Sequence, residues 1–122
     1  MLDYWLSADK HTYVAALNEE VVATFYIKDN QPGLGSHVAN AGYAVSPAAR
    51  GRGVGRAMAE FSLTEARRLH YSAMQFNLVV KTNESAVKLW KSLGFEIIGE
   101  IPDAFRHSKL GSVNAYIMHR KL

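Results

Sequence analysis

The period of the apolar positions changes several times along the chain. Residues 11–17 and 21–27 are rich in Val, Tyr, Phe, Thr and Ile, which suit a pleated surface, and they read as two strands. Asn18-Glu19-Glu20 is the short turn between them. Pro32-Gly33-Leu34-Gly35 reads as a loop, and residues 40–45 as a third strand that ends at Pro47. The period then switches to that of a helix over residues 54–70. Arg56, Glu60, Thr64, Arg67 and Arg68 form a polar stripe, with Val54, Met58, Phe61, Ala66 and Leu69 expected on the buried side. Residues 74–80 read as a strand with Met74, Phe76 and Leu78 inward. A shorter helix follows over 85–93, with Ala86, Leu89, Trp90 and Leu93 inward, and Gly94 placed to stop it in a left-handed conformation. Residues 95–99 and 115–120 are the last strands, and 101–112 reads as a connecting loop carrying Phe105-Arg106-His107.

The resulting order is three strands, helix, strand, helix, strand, strand. A strand–helix–strand run requires a parallel crossover, and the helix-free runs on either side imply antiparallel pairs. The expected fold is α/β (α+β): a mixed, mostly antiparallel sheet with a central parallel pair and helices packed on it. A chain of 122 residues is one small domain. The absence of cysteine excludes a disulfide scaffold, a cysteine nucleophile and a thiolate zinc site, and no metal is expected. No apolar run approaches the roughly 18 residues that span a bilayer, so a soluble, cytoplasmic protein without membrane partners is expected. The formal charge of +3 is mild. It is compatible with an anionic ligand, or with weak attraction to nucleic acid, and specifies neither. Aromatic and basic residues are not interleaved on a strand as a nucleic-acid stacking platform requires, so nucleic-acid binding ranks last.

The segment Val45-Ser46-Pro47-Ala48-Ala49-Arg50-Gly51-Arg52-Gly53-Val54-Gly55-Arg56 joins a strand to the start of the longest helix. A first helical turn carries unpaired N–H groups and a partial positive charge. Three glycines at alternate positions remove side chains that would hold a ligand away from them. Arg50, Arg52 and Arg56 add charge and donors. The product is an anion cradle suited to phosphate or pyrophosphate. The Lys-Ser/Thr of a nucleotide P-loop is missing after Gly55, and a dinucleotide fingerprint fails because Arg56 and Met58 stand where its last glycine would be.

The run Arg50-Gly51-Arg52-Gly53-Val54-Gly55 resembles the [Q/R]-x-x-G-x-[G/A] pattern of the GNAT acetyltransferase superfamily. Downstream, Asn83-Glu84-Ser85-Ala86-Val87-Lys88-Leu89-Trp90-Lys91-Ser92-Leu93-Gly94-Phe95 is similar to that family's N-x-x-A-x-x-L-[Y/W]-x-x-x-G-F. Both motifs stand on consecutive strand–helix units in the family's order, and the resemblance covers residues 11–122. It implies acetyl-CoA, or a related acyl-CoA, as donor and a primary amine as acceptor, by direct attack. It assigns the pyrophosphate to Arg50, Gly51, Arg52, Gly53, Val54, Gly55 and Arg56. The pantetheine arm would pair with backbone near Tyr43 and Val45, between splayed strands, and an N–H near Val45 would meet the thioester oxygen. Asn83 would bond the arm, or would cap its own helix.

Two departures qualify what the resemblance implies. The position where the family often has a proton-donating Tyr is Trp90, whose indole is no useful acid; Tyr43 or Tyr116 would serve instead, or the thiol would leave as thiolate. His37 and His107 are the loop candidates for a base, and no catalytic residue is assigned. The family's N-terminal strand and helices, one wall of its acceptor site, have no counterpart here, and Tyr4, Trp5 and Leu6 read as the tail of a helix. The expectation is therefore an N-terminally short domain that self-associates as a homodimer. The alternative is a catalytically weak or inactive CoA-binding module with an incomplete acceptor site.

Overall fold

A computed structural model describes residues 10–51 and 53–122. The expectation for Tyr4, Trp5 and Leu6, and the assignment of Arg52 to the cradle, lie outside the described residues. The strands are β1 (Lys10–Leu17), β2 (Glu20–Asp29), β3 (Val38–Val45), β4 (Ala73–Val80), β5 (Glu96–His107) and β6 (Gly111–Lys121). The helices are α1 (Val54–Arg68) and α2 (Glu84–Ser92), with 3-10 turns at Gly33–Gly35 and Pro47–Ala49. The strands form one mixed sheet in the order β1-β2-β3-β4-β6-β5. β1–β2, β2–β3 and β5–β6 are antiparallel, and β3–β4 is the parallel pair. This is the expected fold class. The described residues form two compact units, those from Lys10 to Met74 with Leu122, and residues 75–121.

In the first unit, β1 and β2 meet in a two-residue turn. Asn18 (φ 50°) and Glu19 (φ 67°) are both left-handed, which matches the twist of the flanking strands. The register shifts between Ala15 and Ala16, so that Ala15 faces Ala23 while Ala16 faces Val21. The extra residue, Val22, gives its carbonyl to the Ser46 N–H at 2.7 Å and so anchors the exit of β3. Against this sheet α1 buries Met58, Ala59, Ser62, Leu63 and Ala66. The expected buried side is corrected at Phe61, and Ser62, which it left out, belongs to it. Phe61 is half exposed (50%), and Ser62 is fully buried (0%). Small residues let the helix approach the sheet, and Ser62 satisfies its hydroxyl by donating to the Ala59 carbonyl at 2.7 Å. Phe61 stands at the border of the face. Its ring meets Tyr13 and Phe25 edge-on at 6.0 and 6.1 Å, and Tyr13 stacks on Phe25 at 4.7 Å.

The helix expected to reach residue 70 ends at Arg68. The His70 N–H donates to the Arg67 carbonyl and the Tyr71 N–H to the Ala66 carbonyl, each at 3.0 Å, with His70 left-handed at φ 70°. Near this end the Glu65 carboxylate receives Arg68 Nε at 2.8 Å, Arg68 Nη2 at 3.0 Å and the Tyr13 hydroxyl at 2.7 Å. The Arg68 bonds first, and then the Tyr13 bond, lower its pKa to about 2. A carboxyl lowered in the folded state contributes stability above its ordinary pKa of about 4.5 and loses that contribution as pH falls toward about 2. Glu65→Ala is therefore expected to melt several degrees below the parent protein at pH 7, with the gap closing between about pH 4.5 and pH 2. Thermal melts across that range check it; a gap that does not narrow on acidification contradicts it.

In the second unit, Phe76 stacks on Phe95 at 4.7 Å, and Trp90 packs against both at 4.4 and 5.4 Å. On α2 the expected inner face holds at Trp90, which is buried, while Ala86, Leu89 and Leu93 are half-buried. The helix ends as α1 does. The Gly94 N–H donates to the Lys91 carbonyl and the Phe95 N–H to the Trp90 carbonyl, with Gly94 at φ 91°. Two expectations are corrected here. The alternation of β4 shifts after Asn77, so Val79 is buried (7%) and Leu78 is exposed (51%). Residues 101–112 are not one loop, since β5 runs on to His107 and Phe105-Arg106-His107 pair with Val113-Ser112-Gly111. The interruption is confined to a register shift between Ile101 and Phe105, where Pro102 lacks an N–H and Asp103 is left-handed at φ 50°. β5 is an edge strand of the sheet, where such a break is tolerated. The Asn114 side chain spans it, accepting the Asp103 N–H at 2.9 Å and donating to Glu100 at 2.7 Å.

Candidate functional site

The glycine-rich segment begins where β3 ends. Pro47–Ala49 forms a 3-10 turn anchored by Ala49, which is 1% exposed. The chain then reverses through two left-handed glycines, Gly51 (φ 78°) and Gly53 (φ 77°). Gly53 is the N-cap of α1, and its carbonyl takes the Ala57 N–H at 3.1 Å. The N–H groups of Val54 and Gly55 precede that first bond and have no acceptor within the helix. Among the described residues no side chain caps this end, and the first turn holds no acidic residue. Chain neighbours and the helix's own backbone aside, a Cβ built on Gly51, Gly53 or Gly55 would find no heavy atom of the described residues within 4 Å. The first turn is thus open on the side that a ligand would use, and its partial charge is positive.

Arg50 is exposed next to this turn. Arg56 points along the helix, where its Nε meets Glu60 Oε1 at 3.1 Å, with both side chains about half exposed (53% and 55%). A solvated pair of this kind is worth little, so Glu60 is readily exchanged for a stronger anion.

On β3 the backbone polarity alternates. The Ser46 N–H bonds Val22 on β2, and the Val38 carbonyl bonds Asn30 on the same side. Even-numbered residues of β3 therefore serve β2, and the backbone groups of Ala39, Ala41, Tyr43 and Val45 turn toward the opposite edge. The two positions assigned to the pantetheine arm, Tyr43 and Val45, share that edge. The parallel ladder on it pairs Val38 with Ala73 and Ala39 with Met74.

The side chains proposed for proton transfer are resolved differently. The Tyr43 hydroxyl shares a 2.7 Å hydrogen bond with Ser62 Oγ, in which either oxygen can be the donor, and lies 3.8 Å from Met74 Sδ. Burial raises the Tyr43 pKa, and the Ser62 bond opposes that only partly. Its ring lies on the α1 side of the sheet, stacked on Phe25 at 5.8 Å. The Tyr43 side chain is thus engaged with Ser62 and packed beside Phe25. His37 precedes β3, about 26 Å along the strand from Val45 at 3.3 Å per residue. It stands at the wrong end for a base at the cradle. His107 accepts the Lys109 and Leu110 N–H groups on Nδ1 at 3.0 and 3.1 Å and organises the β5–β6 turn.

Asn83 belongs to the second unit. Its Oδ1 accepts the Ala86 N–H at 3.3 Å and the Ser85 hydroxyl at 3.2 Å, capping α2. Trp90, in the family's Tyr position, is a buried core residue (9%). Tyr116 on β6 lies under the Lys81 ammonium, 5.7 Å from its ring centre.

Sequence reasoning passed over an apolar groove of about 440 Å³ beside the cradle, lined by Tyr13, Leu17, Val22, Phe25, Val54 and Phe61 among others. The half-exposed Phe61 is its signal, and hydropathy alone assigned that residue to the core. Among the described residues, no cluster of three or more His, Cys, Asp or Glu is arranged to hold a metal ion, and no helix is long and apolar enough to cross a membrane.

A strand ending in an open, glycine-framed helix start, followed by a second strand–helix unit capped by Asn83, is the arrangement of the GNAT fold. The profile of the Acetyltransferase (GNAT) family matches residues 1–95, and the chain belongs to that family. It is 43% identical over 98 residues to N-acetyltransferase aca1 of Schizosaccharomyces pombe, a match spanning 80% of this chain and 47% of the relative. The chain thus corresponds to about half the length of that protein. The structure of a GCN5-related N-acetyltransferase from Kribbella flavida superposes with a TM-score of 0.94 at 44% identity, covering 98% of this chain and 74% of that one. A ribosomal-protein-alanine N-acetyltransferase from Brucella melitensis, 24% identical, shares the fold with a TM-score of 0.83 over 99% of this chain and 74% of its own.

Proposed function

We propose that the chain is an acyl-CoA N-acyltransferase domain that passes an acetyl group from acetyl-CoA to a primary amine by direct attack. The observation that carries this reading is the uncapped first turn of α1, framed by glycines at which an added Cβ would enter open space. Acetyl-CoA fits that arrangement, because a diphosphate needs bare N–H donors at a helix start and a cationic surround. In this reading the Val54 and Gly55 N–H groups and Gly51 and Gly53 receive the pyrophosphate, flanked by Arg50 and Arg56, with Arg52 assigned by the sequence resemblance alone. Backbone groups of Tyr43 and Val45 bind the pantetheine arm, and the Val45 N–H is the donor offered where negative charge develops on the thioester oxygen. Asn83 contributes its side-chain nitrogen, since its oxygen is engaged as a helix cap. Bound acetyl-CoA supplies an activated thioester and a thiol of ordinary pKa about 8.5, low enough to depart as thiolate. The attacking amine must first lose a proton, so base or water assistance is required.

Acetyl-CoA at about one hundred times its Kd is expected to stabilise the protein by about 2.7 kcal/mol. For a domain of this size that raises Tm by about 10 °C. Differential scanning fluorimetry checks it, and a zero shift at saturating acetyl-CoA removes the cofactor site. A panel of amines with free-thiol detection then separates a transferase from a CoA-binding module without turnover.

A further inference from the structure

Within the second unit, α2, the chain just before it and Tyr116 of β6 line a depression of about 500 Å³, a size that admits several side chains. Lys81, Lys88 and Lys91 surround it, and Val87 and Tyr116 give it an apolar part. Lys81 is held in place, with its Nζ 3.0 Å from Glu100 Oε2 and 5.7 Å from the centre of the Tyr116 ring. The Glu100 charge is spent there, since the same oxygen also accepts the Asn114 side-chain N–H at 2.7 Å. Lys88 and Lys91 are exposed, and among the described residues neither is ion-paired. They stand three residues apart on one helix, so two like charges lie side by side, which disfavours the helix slightly. Lys91 recovers a little of this from the C-terminal end of α2, whereas Lys88 stands mid-helix and does not. Glu84, also on the lining, sits in the first turn of α2, where the helix dipole favours a carboxylate.

We propose that this depression is a docking surface for an acidic peptide segment of a protein partner, with Lys88 and Lys91 receiving its carboxylates and Val87 and Tyr116 an apolar side chain between them. The inference stands on the second unit alone and does not require the acetyl-CoA reading. Charge complementarity selects the occupant, since Lys88 and Lys91 have no counter-ion and flank an apolar floor. Phosphate is served less well. The first turn of α2 is capped by Asn83 and carries Glu84, so its backbone donors add nothing for a phosphate group. The described lining holds no arginine, the side chain whose planar fork matches phosphate. A nucleic-acid strand needs a continuous basic track, and Glu84 interrupts this one. Separate carboxylates on a flexible peptide need only point charges, which lysines supply.

The probe is a fluorescein-labelled synthetic peptide of glutamates flanking a leucine and a phenylalanine, and its control has every glutamate replaced by glutamine. Fluorescence anisotropy is expected to show the parent protein binding the glutamate peptide, with affinity falling as salt rises because the lysines are exposed. The glutamine peptide is expected to bind at least about tenfold more weakly. Lys88→Gln with Lys91→Gln is expected to weaken the glutamate peptide at least about tenfold, with Tm close to the parent's because both side chains are exposed. Arg67→Gln with Lys109→Gln makes the same change in net charge at residues that do not line the depression, and is expected to stay within about threefold of the parent. A parent that binds neither peptide, or both alike, overturns the proposal. Equal losses in the two double variants overturn it too, since net charge alone would then carry the effect. Tripolyphosphate or a single-stranded oligonucleotide that displaces the probe at lower concentration than unlabelled glutamate peptide would give the surface to phosphate and overturn the peptide reading. A fall in acetyl-CoA affinity in Lys88→Gln with Lys91→Gln would give the lysines to the cofactor and overturn it as well; unchanged affinity is expected.

Discussion

Replacing Gly53 by valine is expected to abolish the acetyl-CoA-induced rise in Tm, from about 10 °C to near zero. Two effects add. Gly53 holds φ 77° as the N-cap of α1, where a residue with a Cβ pays roughly 1–2 kcal/mol. That strain lowers the ligand-free Tm by only about 4–8 °C, because the loop can relax. The second effect is steric. A Cβ at Gly53 meets no protein atom within 4 Å, so the added methyl groups project into the space assigned to the pyrophosphate. The folded protein survives, and its binding site does not. Fluorimetry with and without acetyl-CoA separates the two terms. A Gly53→Val protein with a full ligand shift would remove the pyrophosphate from this turn.

The second large effect is on stability and concerns Gly42. This glycine is not left-handed, and its requirement is for space. A Cβ there would lie 2.5 Å from Cε2 and 2.6 Å from Cζ of Tyr26, whose ring is buried (9%) across the strand. Tyr26 stands opposite Gly42 in the β2–β3 register. Gly42→Ala must therefore push the ring out of its place, at a cost of about 1–3 kcal/mol, seen as a Tm lower by about 4–12 °C. The double-mutant cycle with Tyr26→Ala gives the decisive measurement. In that background Gly42→Ala is expected to cost less than about 0.5 kcal/mol, because the ring that it collided with is gone. Equal losses in both backgrounds would mean that the ring is not the obstacle.

Much of the fold was legible in residue types. The helix stop at Gly94 was readable because a left-handed residue after a helix is most often glycine. The equivalent stop at His70 uses the same two backbone bonds and was missed, since histidine carries no such signal. The turn at Asn18 and Glu19 was readable from its polarity, although its left-handed geometry at Glu19 was not. β5 was cut short at residue 99, ahead of Pro102 and Asp103, which look like loop residues. The strand passes through them because a sheet edge tolerates a missing N–H and the Asn114 side chain bridges the gap.

The cradle was legible for the same reason as Gly94. Bare backbone at a helix start is written in the residues themselves, as alternate positions without a Cβ between a strand and an amphipathic helix. The groups around it were not. Tyr43 looked like a free phenol, and its hydroxyl is bonded to Ser62 under α1. Phe61 looked like core and is half exposed, while Ser62, which the apolar pattern left out, is fully buried.

From the chain alone one could read where the backbone must turn, where helices start and stop on glycine, and which segment leaves donors exposed to an anion. These are needs that a residue meets within its own few neighbours. Folding decided the burial of Ser62 and the packing of Tyr26 over Gly42. Each depends on how closely a distant element approaches, or on which partner a polar group finds at close range, and no local pattern encodes that distance.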